Sequence, residues 1–169
     1  RLRSLVLGTT AQRVLSKTRR PVLIVKRKPL RTYQRVMVAV DFSPNSAKGL
    51  AYSRILAPDS ILYLVHVFEP IFEMHAKVDS FSEEEKKYTG RLQREIETRM
   101  TPFLESAGIN PGKPLKMVEY GRAPEKLFEL GKKWKPDLII IGKHGRSRLE
   151  EFLLGSVTMH VVTEEKCDV

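Results

Sequence analysis

Apolar residues along the chain gather into short blocks separated by stretches with helical spacing. Strand-sized blocks fall at Pro21–Lys26, Arg35–Val40, Ser60–Phe68, Leu115–Tyr120 and Asp137–Ile141. They are rich in Val, Ile, Leu and Tyr, which suit a pleated and buried surface. Between them the spacing changes to three and four residues. Ser43 caps a helix that Pro44 opens, with Leu50, Ala51 and Ile55 on its apolar face. Ser82 and Glu85 form a capping box before a stripe of Tyr88, Leu92, Ile96, Met100 and Phe103, with a kink expected near Pro102. Pro124 starts a helix carrying Leu127, Leu130, Gly131 and Trp134, and a last helix is expected over Gly155–Glu165.

Alternating strands and helices, with strands apolar on both faces, predict an α/β fold. The expected architecture is an open, doubly wound parallel sheet of Rossmann-like type, strand order 3-2-1-4-5, with helices on both faces and right-handed crossovers.

The chain also repeats itself. Residues 1–22 and 148–169 align without a gap at an offset of 147. Identities fall at Arg1/Arg148, Leu2/Leu149, Leu7/Leu154, Gly8/Gly155, Val14/Val161 and Val22/Val169. The first copy runs on into Pro21–Lys26, and the second stops where the matching strand should begin. The expected organisation is a C-terminal remnant of one domain over residues 1–28, a linker over 29–34, and a second domain over 35–169 lacking its last strand. Pro21–Lys26 should then complete a sheet. Parallel insertion in its own chain is feasible but taut, pairing across a pseudo-dimer interface is an alternative, and exchange between two chains in a strand-swapped homodimer is the favoured one.

Charge alters this picture little. The formal net charge is +10, yet residues 1–35 hold eleven basic residues and no acidic one, leaving the remainder at −1. The basic arm reads as a solvated flank, and a nucleic-acid partner is not expected. No stretch approaches the length of a membrane span. One cysteine, Cys167, excludes a disulfide framework or a thiolate zinc site within the chain. A cytoplasmic setting is expected.

Candidate chemistry concentrates after the fourth strand. Gly142, Gly145 and Gly155 stand in the pattern Gly-x2-Gly-x9-Gly, followed by Ser156, Val157 and Thr158. Glycines at a strand's end allow backbone to approach a ligand, and a helix start offers free N–H groups to an anion. A tight turn with an ordinary helix cap is the plainer reading of the same residues. The pattern is neither a Walker loop nor a dinucleotide fingerprint. Asp41 closes the first strand, where it could accept from a ribose hydroxyl or an adenine amino group, or simply cap the next helix.

With Asp41 so placed, this spacing resembles the universal stress protein family in its ATP-binding branch. The resemblance covers about residues 33–169, with 1–28 as the end of a preceding copy. It implies that Ala39, Val40 and Asp41 line an adenosine pocket, that Val67 meets the adenine, and that Ile141 and Gly142 flank the ribose. Gly145, Gly155, Ser156, Val157 and Thr158 would hold the phosphates, with Arg146 as an added contact and His144 as a nearby loop residue. The implied ligand is ATP or another adenine nucleotide, with Mg as an allowed companion. The implied role is a nucleotide-dependent regulatory module in stress survival, dimeric, with no catalytic residue and at most slow hydrolysis. The alternatives are a non-ATP, dimerisation-type relative and an enzyme of the adenine-nucleotide α-hydrolase-like fold. The latter wants a Ser-Gly-Gly loop where this chain has Asp41-Phe42-Ser43. No metal site is expected: His66, His75 and His160 show no ligand spacing.

Overall fold

The computed structural model of the chain describes residues 8–28, 31–69, 82–143 and 154–169. In chain order the elements are α1 (Thr9–Lys17), β1 (Arg35–Ala39), α2 (Pro44–Leu56), β2 (Ile61–Phe68), α3 (Glu83–Ser106), β3 (Leu115–Tyr120), α4 (Ala123–Trp134), β4 (Leu138–Ile141) and α5 (Ser156–Glu164). Four strands form one parallel sheet in the order β3-β2-β1-β4. Alternate residues of the central strand point to opposite faces. Val36, Val38 and Val40 join Leu50, Met100 and Leu104 from α2 and α3. Met37 joins Leu127, Leu130 and Val161 from α4 and α5 on the other side. Helices therefore cover both faces, as expected of a doubly wound sheet.

Caps explain where the helices begin. Ser43 Oγ accepts from Ser46 N–H at 3.2 Å. Ser82 and Glu85 exchange both bonds of a capping box, at 3.2 and 2.6 Å. α3 continues through Pro102 to Ser106. The apolar face expected for α2 is corrected at Ile55, which is 73% exposed. The buried stripe is Ser46, Leu50 and Ser53. Both serine hydroxyls turn back onto helix carbonyls, Ser43 at 3.0 Å and Leu50 at 2.7 Å, so they are buried with their bonds made.

Beside β4, at the fifth place of the expected strand order, there is a single parallel bridge between Leu138 and Asp168 and not a strand. Ile139 N–H donates to the Asp168 carbonyl at 2.9 Å, and Asp168 N–H to the Asp137 carbonyl at 3.3 Å. Residues 21–26, expected as a strand, join no ladder of the sheet. Instead, Ile24 N–H donates to the Val169 carbonyl at 2.7 Å, and Val169 N–H to the Ile24 carbonyl at 3.1 Å. Such reciprocal exchange is an antiparallel pair. The pair lies within the chain and runs antiparallel, so it is not the parallel insertion considered for this segment.

Asp168 explains that placement. Its Oδ1 accepts from the N–H groups of Lys26 at 2.8 Å and Arg27 at 3.2 Å. Its Oδ2 accepts from the Tyr33 hydroxyl at 2.8 Å. The side chain is buried, so losing these donors would strand a charge.

The repeat gives two congruent helices. α1 and α5 are nine residues each and begin and end 147 residues apart. Gly8 and Gly155 cap them with nearly the same backbone, φ −61°, ψ 154° and φ −59°, ψ 146°. Thr18 and Glu165 end them alike, each N–H donating to the matching valine carbonyl, Val14 and Val161.

Candidate functional site

β1 and β4 are neighbours that end in register, Ala39 opposite Ile141. The chain leaves β1 toward β2 on one side, with β4 on the other. The carboxyl ends of these two strands therefore flank the switch point of the sheet, where ligands bind in such folds. Ala39, Val40 and Asp41 come to this edge from β1, and Ile141 and Gly142 from β4. Val67 lies at the carboxyl end of β2, adjacent to β1.

The start of α5 is fastened to the same edge. Thr158 Oγ1 donates to the Gly142 carbonyl at 2.7 Å. Gly155 N–H donates to the Lys143 carbonyl at 3.1 Å. The strand end and the helix start thus form one unit. Gly155 brings no side chain to cap α5, leaving the first-turn N–H groups of Ser156, Val157 and Thr158 to other acceptors. The Thr158 hydroxyl is committed to Gly142, so an anion could use only its backbone N–H. His144, Gly145 and Arg146 lie outside the described residues.

Asp41 is half-buried. Burial pushes its pKa up, but hydrogen bonds from Ser43 and Ser46 outweigh that and hold it below the ordinary value. Ser43 N–H donates to Asp41 Oδ1 at 3.0 Å. The side chain is therefore an ionised acceptor, serving the start of α2 as well as facing the sheet edge. Burial, with the Glu165 carboxylate nearby adding to it, pushes the Cys167 thiol up to about 12, which leaves it inert as a nucleophile.

Three residues shape the site without having been singled out for it in the sequence. His66 donates from Nδ1 to the Val40 carbonyl at 2.7 Å and pins the end of β1 to β2. Phe42 adopts φ 61°, a strained conformation for a large side chain. It packs on His66 at 4.7 Å and Phe103 at 5.2 Å, beneath the Arg99 guanidinium at 4.7 Å. This turns the chain sharply after Asp41. Lys143 follows Gly142, and its ammonium donates to the carbonyls of Ser16 and, at 3.3 Å, Thr18. A cation between glycines was a visible signal for Lys143; its distant partners carried none.

The sequence profile of the Universal stress protein family matches residues 32–169. The chain belongs to the universal stress protein family. It is 31% identical over 144 residues to Universal stress protein A homolog 2 of Coxiella burnetii, covering 81% of this chain and 92% of that one. It resembles a universal stress protein solved in complex with cAMP, at 25% identity and TM-score 0.52, over 81% of this chain and 94% of that one. A universal stress protein of Archaeoglobus fulgidus shares the fold at 20% identity and TM-score 0.66; the match takes in 99% of this chain and 56% of the other. No helix among the described residues is long and apolar enough to cross a membrane.

Proposed function

We propose that this universal stress protein binds an adenine nucleotide, ATP foremost and with or without Mg, as the ligand of a regulatory module in stress survival. The observation that carries the reading is the fastening of the Gly142–Lys143 turn to the uncapped start of α5. Backbone donors and the positive end of a helix meet there at the switch point of the sheet. Ionised Asp41 on the neighbouring strand supplies an acceptor of the kind a ribose or adenine donor needs. The related structure solved with cAMP supports a nucleotide as the class of ligand. Phosphates would lie along Gly142 and Gly145 and on the N–H groups at the start of α5. The reading assigns no catalytic residue, and it places the protein in the cytoplasm.

The same proposal takes residues 1–28 as the end of a preceding domain and 35–169 as a second. Congruent α1 and α5 support it, as does the Archaeoglobus match, which spans nearly all of this chain and leaves close to half of the other over. Homodimerisation through Pro21–Lys26 belongs to the reading, and light scattering on the full chain tests it.

Equilibrium dialysis with labelled ATP, and with cAMP in parallel, tests the ligand. The full chain should bind ATP, and Gly155→Val should abolish binding by placing a branched side chain where phosphate must approach backbone. Undiminished affinity in a folded Gly155→Val protein would sink the reading; preference for cAMP would change the ligand while keeping the site.

A further inference from the structure

We infer that Lys143 couples nucleotide occupancy to the docking of α1, because a bound polyphosphate and the carboxyl end of α1 compete for one ammonium group. The inference rests on the nucleotide reading above. The root of Lys143 is at the site: its carbonyl holds Gly155 N–H at 3.1 Å, at the very start of α5. Its side chain is turned the other way, onto the carbonyls of Ser16 and Thr18. Those carbonyls belong to the last turn of α1, where backbone acceptors lack helical partners and the dipole is negative.

A phosphate at the start of α5 offers the same ammonium a full negative charge, and such bonds are about twice as strong as those to neutral acceptors. The anion also suffers from the negative end of α1 nearby. Both effects favour transfer of Lys143 to phosphate and loss of the α1 cap. Among the described residues little else covers the first turns of α1: residues 10–14 are all exposed, Val14 at 52%, while Leu15 and Ser16 are half-buried.

The segment beyond α1 is held separately. Lys26 Nζ donates to the carbonyls of Val162 and Glu165, both at 2.6 Å, and so caps α5 instead. Asp168 and the Ile24–Val169 pair fix the backbone around it. Release would thus be confined to α1, with residues 24–28 staying in place. By linkage, whatever stabilises docked α1 weakens nucleotide binding to the same degree.

Hydrogen exchange on the full chain tests this, with ATP binding measured on the same samples. Saturating ATP should speed exchange at the amides of residues 13–18 by about two- to tenfold, the range of a lost helix-end charge. Residues 24–28 should not change. In Lys143→Gln those amides should exchange fast already, and ATP should add nothing. If ATP binds while α1 exchange is unchanged or slowed, the competition is wrong and the nucleotide reading survives. If ATP does not bind at all, the nucleotide reading fails and the coupling with it.

Discussion

α1 and α5 share a sequence pattern, a length and the backbone at both ends, yet they live in opposite surroundings. Val14 in α1 is 52% exposed, and its counterpart Val161 in α5 is 1% exposed. Gly8 and Gly155 open the two helices with the same backbone, and neither supplies a side-chain cap, so the same local pattern yields the same helix twice. What differs is the neighbour. α5 lies on Met37, Ile139 and Leu130 across the sheet and α4. α1 instead has a lysine at its end and leaves residues 10–14 exposed. The same local pattern is thus built twice, whereas the worth of each apolar side chain is set by what stands opposite.

The largest expected effect separates the two valines. Val161→Ala should cost about 2–3 kcal/mol in urea unfolding, from lost burial and the cavity left behind. Val14→Ala should stay within about 0.5 kcal/mol. Equal losses would mean that α1 is buried in solution as deeply as α5.

Next in size is Asp168, whose counterpart in the repeat is Pro21. Asp168→Ala leaves the N–H groups of Lys26 and Arg27 and the Tyr33 hydroxyl without their acceptor. It should cost about 1–2 kcal/mol and open residues 21–28 to proteolysis. A variant as stable and as resistant as the parent would show that Ile24 and Val169 hold the segment alone.

The smallest effect is set by pH. Thr18 and Glu165 end the two helices, both half-buried, and only the glutamate is titratable. Burial raises its pKa from the ordinary 4.5 to about 7, against the pull of Lys26 and Lys132. The folded protein thus binds a proton that the unfolded chain has released, and stability falls as pH rises from about 4.5 to about 7. Glu165→Gln should remove that slope. The variant should gain about 1 kcal/mol at pH 8, after allowance for solvent at the exposed part of the side chain, and nothing at pH 4. An unchanged slope in unfolding midpoints would place the carboxylate in water.

Much of the fold was legible because its signals are local. The caps at Ser43 and Ser82 and the blocks that became β1 to β4 needed only nearest neighbours, and strand ends moved by a single residue at Val40, Ser60 and Asp137. Gly142 and Gly155, which the structure brings together, stood out in the sequence for the same reason. Harder features depend on contacts between remote positions. Ile55 was misjudged because helical spacing does not reveal that two serines can satisfy themselves and take the buried face. Lys143 is 127 residues from Ser16, and Asp168 is 142 from Lys26. No periodicity links such pairs. The direction of residues 21–26 hung on Asp168, and so it too was out of reach.

The hydrogen bond between Tyr33 and Asp168 has a further meaning. Tyr33 stands just before β1, and Asp168 lies beside the amino end of β4, so one contact spans the starts of two neighbouring strands. Asp137, at the same place, holds the N–H groups of Gln34 and Arg35. Two carboxylates thus hold the approaches to two adjacent strands, so loosening either one would free the starts of β1 and β4 together.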